Sequence, residues 1–73
     1  MGAGDGERMR ILLNGEDRQV QGGLTVAQLL DQADPAYHHG LVEVNGELLP
    51  RTGYGRLLVE GDRVEVILPA FGG

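Results

Sequence analysis

Leu24-Thr25-Val26-Ala27-Gln28-Leu29-Leu30 carries the marks of a helix start, and it lies between two strand-turn-strand patterns. Thr25 suits the N-cap, where a side-chain oxygen accepts from an unpaired N–H of the first turn, and Gln28 three residues on completes a capping box. Leu24 and Leu29 take the N′ and N4 positions of a hydrophobic staple. Val26, Leu29, Leu30 and Ala33 recur at helical spacing and form one apolar face. Asp34-Pro35 ends the pattern, because a proline disfavours the helical conformation of the residue before it. The helix therefore runs about two turns or slightly more, and its apolar face should cover a sheet.

On its N-terminal side, Met9-Arg10-Ile11-Leu12-Leu13 runs into Asn14-Gly15, and Arg18-Gln19-Val20 returns before Gly22-Gly23. Asn-Gly between strand-like runs is a strong hairpin signal, since both residues tolerate positive φ. On the C-terminal side the same chemistry recurs. Gly40 to Val44, Asn45-Gly46 and Glu47 to Leu49 form a second hairpin, closed by Pro50. Residues 51–58 read as an irregular connection with Gly53 and Gly55 around Tyr54. Glu60-Gly61-Asp62 turns the chain into Arg63–Leu68, the most strand-like run, and Pro69 ends it. The order is β-β-α-β-β-β. One helix on one face of a sheet is an α+β arrangement, with the other face open to solvent or partners.

At 73 residues the chain is one domain, too small to enclose a deep substrate cavity. It has no cysteine, which excludes disulfides, thiolate metal sites and any sulfur chemistry on a side-chain thiol. Eleven acidic against six basic residues give a net charge of −5, which argues against nucleic-acid binding. No apolar run approaches the ~20 residues that span a bilayer. Residues 1–8 lack the apolar stretch of a signal peptide and read as a disordered, Gly-rich leader, so the cytoplasm is the expected compartment. The domain is expected over residues 9–69, with residues 70–73 as a flexible tail.

Met9-x-Ile11-x-Leu13-Asn14-Gly15-Glu16, the helix Leu24–Leu30, and Val44-Asn45-Gly46-Glu47-Leu48-Leu49-Pro50-Arg51 resemble the ThiS/MoaD family of sulfur carriers. Glu60-Gly61-Asp62-Arg63-Val64-Glu65-Val66 and the closing Gly72-Gly73 complete the resemblance, which covers Met9 to Gly73. It implies a ubiquitin-like β-grasp fold, a mixed sheet of four to five strands with one main helix. It also implies that the Gly73 carboxylate is adenylated by a ubiquitin-activating-type enzyme using ATP and magnesium, and that sulfur then displaces AMP to leave a thiocarboxylate. The partners so implied are the adenylating enzyme, a sulfur-donor enzyme, and thiazole synthase or the large subunit of molybdopterin synthase. The chain would be a protein co-substrate rather than an enzyme, binding no cofactor or metal itself.

Pro69, Ala70, Phe71 and Gly72 are the expected partner-binding tail, and Gly73 the reacting residue. Neither terminal glycine carries a Cβ, so the tail can thread closely against a partner backbone and leave the acyl carbon unshielded. The bland reading of Gly-Gly is a frayed end, and in a chain with 13 glycines the pair is weak evidence without the surrounding pattern. Phe71 has two readings, a ring folded back on the last strand or an apolar anchor in a partner groove. The family often has a small residue there. Structural roles are expected for Tyr54, packing under the loop, and Arg51, pairing with an acidic neighbour. His38-His39 read as a solvated loop, and Glu60 and Asp62 as turn residues.

The compact length, the early Asn-Gly-Glu and the Pro-Arg after the second hairpin favour a thiamin-type carrier. The small subunit of molybdopterin synthase is second, and carriers for cysteine or for tungsten and molybdenum cofactors follow. A TGS-like regulatory β-grasp module shares the Val-Asn-Gly and Gly-Asp-x-Val-Glu segments but sits inside larger proteins and lacks terminal Gly-Gly. An S4-type RNA-binding module would need a basic surface.

Overall fold

The computed structural model describes residues 7–70. It contains β1 (Arg8–Leu13), β2 (Glu16–Gln21), α1 (Val26–Ala33), β3 (Leu41–Val44), β4 (Glu47–Leu49) and β5 (Arg63–Ile67). The strands form one mixed sheet in the order β2-β1-β5-β3-β4. β5 runs parallel to β1 and antiparallel to β3, so the last strand sits at the centre between the two hairpins. This is the expected α+β β-grasp. The expected leader falls mostly on residues 1–6, outside the described residues; β1 itself starts at Arg8.

Both hairpins turn on Asn-Gly, with φ of 51° and 83° at Asn14 and Gly15 and of 54° and 86° at Asn45 and Gly46. Positive φ at both central residues is the twist-matched two-residue hairpin turn. Strand alternation then sorts the faces. Ile11 and Leu13 of β1, Val42 and Val44 of β3, and Val64 and Val66 of β5 point inward onto Val26, Leu29 and Leu30 of α1 in a single core. Residues 34–40 connect α1 to β3. Asp34 caps a 3-10 turn, Pro35–His39, by accepting from the Ala36 N–H at 2.9 Å.

The start of α1 has a complete set of partners. A helix leaves its first four N–H groups without intrahelical acceptors. Here the Thr25 N–H donates to Gln28 Oε1 at 2.9 Å and the Gln28 N–H to Thr25 Oγ1 at 3.1 Å, the expected capping box. The other two are met from far along the chain: Val26 N–H donates to the Arg56 carbonyl and Ala27 N–H to the Tyr54 carbonyl, both at 3.0 Å. The segment expected as an irregular connection is thus the other half of the helix cap. It is also tied by Leu58 N–H to the Leu24 carbonyl at 2.9 Å, which buries Leu58 in the core.

Replacing fully buried Leu30 by alanine should destabilise the domain by about 2–5 kcal/mol, whereas Thr25→Ala should cost about 1 kcal/mol. Urea unfolding of the two variants checks the ranking, since the core change should shift the midpoint several times further.

Candidate functional site

The expected reactive tail is an extension of β5, so the geometry of that strand sets where the tail begins. Val64 and Val66 are buried in the core while Arg63, Glu65 and Ile67 face out. Pro69 and Ala70 follow the strand, exposed and outside regular secondary structure. Phe71, Gly72 and Gly73, the remainder of the expected site, lie outside the described residues.

Both hairpin tips close on β5. Asn14 Oδ1 accepts from the Val66 N–H at 2.8 Å, while the Asn14 N–H donates to the Val64 carbonyl at 2.9 Å. Its Nδ2 donates to the Tyr37 hydroxyl at 3.3 Å, which links the tip to the 3-10 turn. From the other side, Asn45 Oδ1 accepts from the Arg63 N–H at 2.9 Å and the Asn45 N–H donates to the Arg63 carbonyl at 2.7 Å. Asn45 Nδ2 donates to Asp62 Oδ1 at 2.9 Å. Sequence reasoning assigned these asparagines to turn chemistry alone. They are also side-chain clamps on the strand that leads to the tail.

Asp62 anchors the entrance of β5. It is a buried charged residue, 4% exposed. Its second oxygen accepts from the Val59 N–H at 2.9 Å, and the Arg56 guanidinium approaches its first at 3.8 Å. A buried carboxylate with no partner would be costly, and these donors satisfy it. Glu60 beside it accepts from the Arg10 N–H at 2.9 Å. Both are turn residues as expected, but Asp62 joins the second hairpin to the turn. A further constraint lies at the strand's exit. A Cβ on Gly40 would meet the Ile67 carbonyl oxygen at 2.8 Å and the Leu68 side chain at 3.1 Å, so the chain leaving β5 lies directly over this glycine.

Other expectations fare differently. Tyr54 packs partly buried against the core. Among the described residues Arg51 pairs with no acidic neighbour; its Nη1 donates to the His38 carbonyl of the 3-10 turn at 3.0 Å. His38 contacts Asp31 at 2.6 Å on the surface, and no group of potential metal ligands assembles among the described residues. An open concavity lined by Arg8, Met9, Arg10, Gln19 and Glu60 lies at the start of β1, the end of the sheet away from the tail. No described helix is long and apolar enough to cross a membrane.

If Asn14 is a clamp on β5, Asn14→Ala leaves the part-buried Val66 N–H without its acceptor, at a cost of about 1–3 kcal/mol. Amide exchange followed by NMR should then show Val66 losing protection beyond any global destabilisation.

The model of the ThiS family matches residues 11–73. A thiazole synthase of Paramagnetospirillum magneticum (strain ATCC 700264 / AMB-1) is 32% identical over 66 residues, covering 89% of this chain and 20% of that protein. The chain thus spans about one fifth of the length of that curated relative. The crystal structure of a thiamine biosynthesis protein, ThiS, from Geobacter metallireducens matches with a TM-score of 0.72 at 31% identity, covering 89% of this chain and 100% of that one. A family match over nearly the whole described domain, on a β-grasp that holds its last strand at the centre of the sheet, establishes that the chain belongs to the ThiS family of ubiquitin-like sulfur carriers.

Proposed function

We propose that this chain carries sulfur for the thiazole of thiamine, as a thiocarboxylate on Gly73. The observation that carries the reading is the family match reaching through Gly73, six residues in sequence beyond a strand clamped from both sides. Absence of cysteine from the sequence supports it, since a carrier without a thiol needs another atom to hold sulfur. The thiamine branch is favoured over the molybdopterin branch by both relatives. One is a thiamine biosynthesis protein. The other is a thiazole synthase containing a segment similar to this chain, which supports a working contact between carrier and synthase.

The chemistry follows from leaving groups. The Gly73 carboxylate attacks the α-phosphorus of ATP on a partner enzyme of the ubiquitin-activating type, with magnesium, and pyrophosphate departs. The resulting acyl adenylate has AMP as a good leaving group, where the free carboxylate had none. Hydrosulfide released by a donor enzyme attacks the acyl carbon, AMP leaves, the sulfur loses its proton to solvent, and the thiocarboxylate remains. Its sulfur is then the nucleophile toward the substrate of thiazole synthase. Pro69, Ala70, Phe71 and Gly72 thread the partner's channel, with the aromatic ring of Phe71 as the apolar anchor and Gly72 leaving the channel unobstructed.

Incubation with the adenylating enzyme of the thiamine pathway, ATP, magnesium and a sulfur donor should exchange one oxygen for sulfur in the intact mass. Removing Gly73 should abolish the exchange and leave the circular dichroism spectrum unchanged. Retention of the exchange in the truncated chain would overturn the proposal.

A further inference from the structure

The chain has two asparagines, and the same two residues follow each: Asn14-Gly15-Glu16 and Asn45-Gly46-Glu47. Asn-Gly is a chemically reactive pair, because a glycine without a Cβ leaves its backbone nitrogen free to attack the preceding side-chain amide. Both pairs lie exposed at hairpin tips, and no backbone carbonyl among the described residues accepts from the Gly15 or Gly46 N–H. A Cβ added to either glycine would meet nothing within 4 Å, so the space beside each nitrogen is open. The two tips differ in one bond. At each, the side-chain oxygen accepts from a β5 N–H, at 2.8 Å from Val66 and 2.9 Å from Arg63, and the backbone N–H donates to a β5 carbonyl. The side-chain nitrogen of Asn14 donates to the Tyr37 hydroxyl at 3.3 Å, whereas that of Asn45 donates to Oδ1 of buried Asp62 at 2.9 Å.

We propose that Asn14-Gly15 is a self-modification site of the folded chain and that Asp62 protects the matching Asn45-Gly46 from the same reaction. The Gly15 nitrogen gives up its proton to hydroxide and bonds to the Asn14 Cγ. The Cγ–Nδ2 bond then breaks, ammonia leaves with a proton taken from water, and a five-membered imide remains. Water adds at one of its two carbonyls and the ring C–N bond opens there, giving aspartate or isoaspartate. The balance is one water in and one ammonia out, with no change of oxidation state. Closing the ring turns the side chain back onto its own backbone, which breaks both of its hydrogen bonds. At Asn14 the bond from the nitrogen is long and neutral. At Asn45 it is charge-assisted and its acceptor is buried, so releasing it costs more. The products differ too. Aspartate at 14 keeps an oxygen for the Val66 N–H, and the Tyr37 hydroxyl can rotate to donate to the other oxygen. Aspartate at 45 sets a second carboxylate against Asp62. Isoaspartate adds one methylene to the backbone of a two-residue turn whose length fixes the hairpin register. At 14 it therefore withdraws the clamp from Val66.

Trypsin separates the two sites, since Arg10, Arg18 and Arg51 bound peptides 11–18 and 19–51, each with one asparagine. Mass spectrometry of these peptides follows the amide-to-acid conversion in the whole chain, held in warm, mildly alkaline buffer either folded or in concentrated urea. Dividing the unfolded rate by the folded rate gives a protection for each site that is free of local sequence effects. Protection at Asn45 should exceed that at Asn14 by about ten-fold. Tyr37→Phe keeps the ring against the core and should lower protection at Asn14 alone. In urea, Asn14→Asp should unfold near wild type and Asn45→Asp at a clearly lower concentration. Equal protection at the two sites, the sign of a reaction that proceeds only through global unfolding, overturns the proposal. So does an Asn14 that stays intact in the folded chain while the unfolded chain converts. Equal urea midpoints for the two aspartate variants overturn the role given to Asp62.

Discussion

The structure depends on how one strand is held. β5 comes last in the sequence yet lies in the middle of the sheet, and it must be gripped from both sides by elements made long before it. Backbone ladders to β1 and β3 do part of this. The rest falls to two asparagines at the hairpin tips, which offer Oδ1 to β5 N–H groups at 2.8 and 2.9 Å. Each tip also turns its own backbone N–H onto a β5 carbonyl. A side-chain amide suits this position because it supplies an acceptor to one neighbour and a donor to another. An aspartate at 45 would set a carboxylate against the buried carboxylate of Asp62.

That arrangement explains how so small a domain serves as a carrier without a cavity. The core of aliphatic residues is used up in holding α1 against the sheet, and the N–H groups at the helix start are already committed to Thr25, Gln28, Tyr54 and Arg56. A helix N-terminus is a common anion-binding site, and here its donors are occupied internally. What is left for partners is the outer face of the sheet and the extension of β5.

Much of the fold was legible locally. The capping box, both Asn-Gly turns and the alternation of the last strand depend on neighbours within four residues, and the observed bounds agree with the expected ones to within about two residues. What local pattern did not show is how elements meet. Residues 51–58 have no period, so nothing in them announced that Tyr54 and Arg56 cap a helix thirty residues earlier or that Leu58 is core. Arg51 found a carbonyl instead of an acid for the same reason. The asparagine clamps were hidden by an adequate simpler account, since Asn-Gly already explains itself as a turn; the same pair at both tips, each aimed at the strand after Gly61-Asp62, was the available hint. Of the expected site, the root at Pro69 and Ala70 is described, and its meaning rests on family rather than on local chemistry.

The central, parallel setting of β5 has a mechanical consequence. A pull on the C-terminal tail is directed along the strand's own axis, across the perpendicular hydrogen bonds to antiparallel β3 and the slanted ones to parallel β1. The two ladders and the two asparagine contacts then share the force in shear, so several bonds must yield at once. A peripheral hairpin strand pulled from its free end would instead peel one bond at a time. The body of the domain is therefore built to keep its shape when its C-terminal end is under tension.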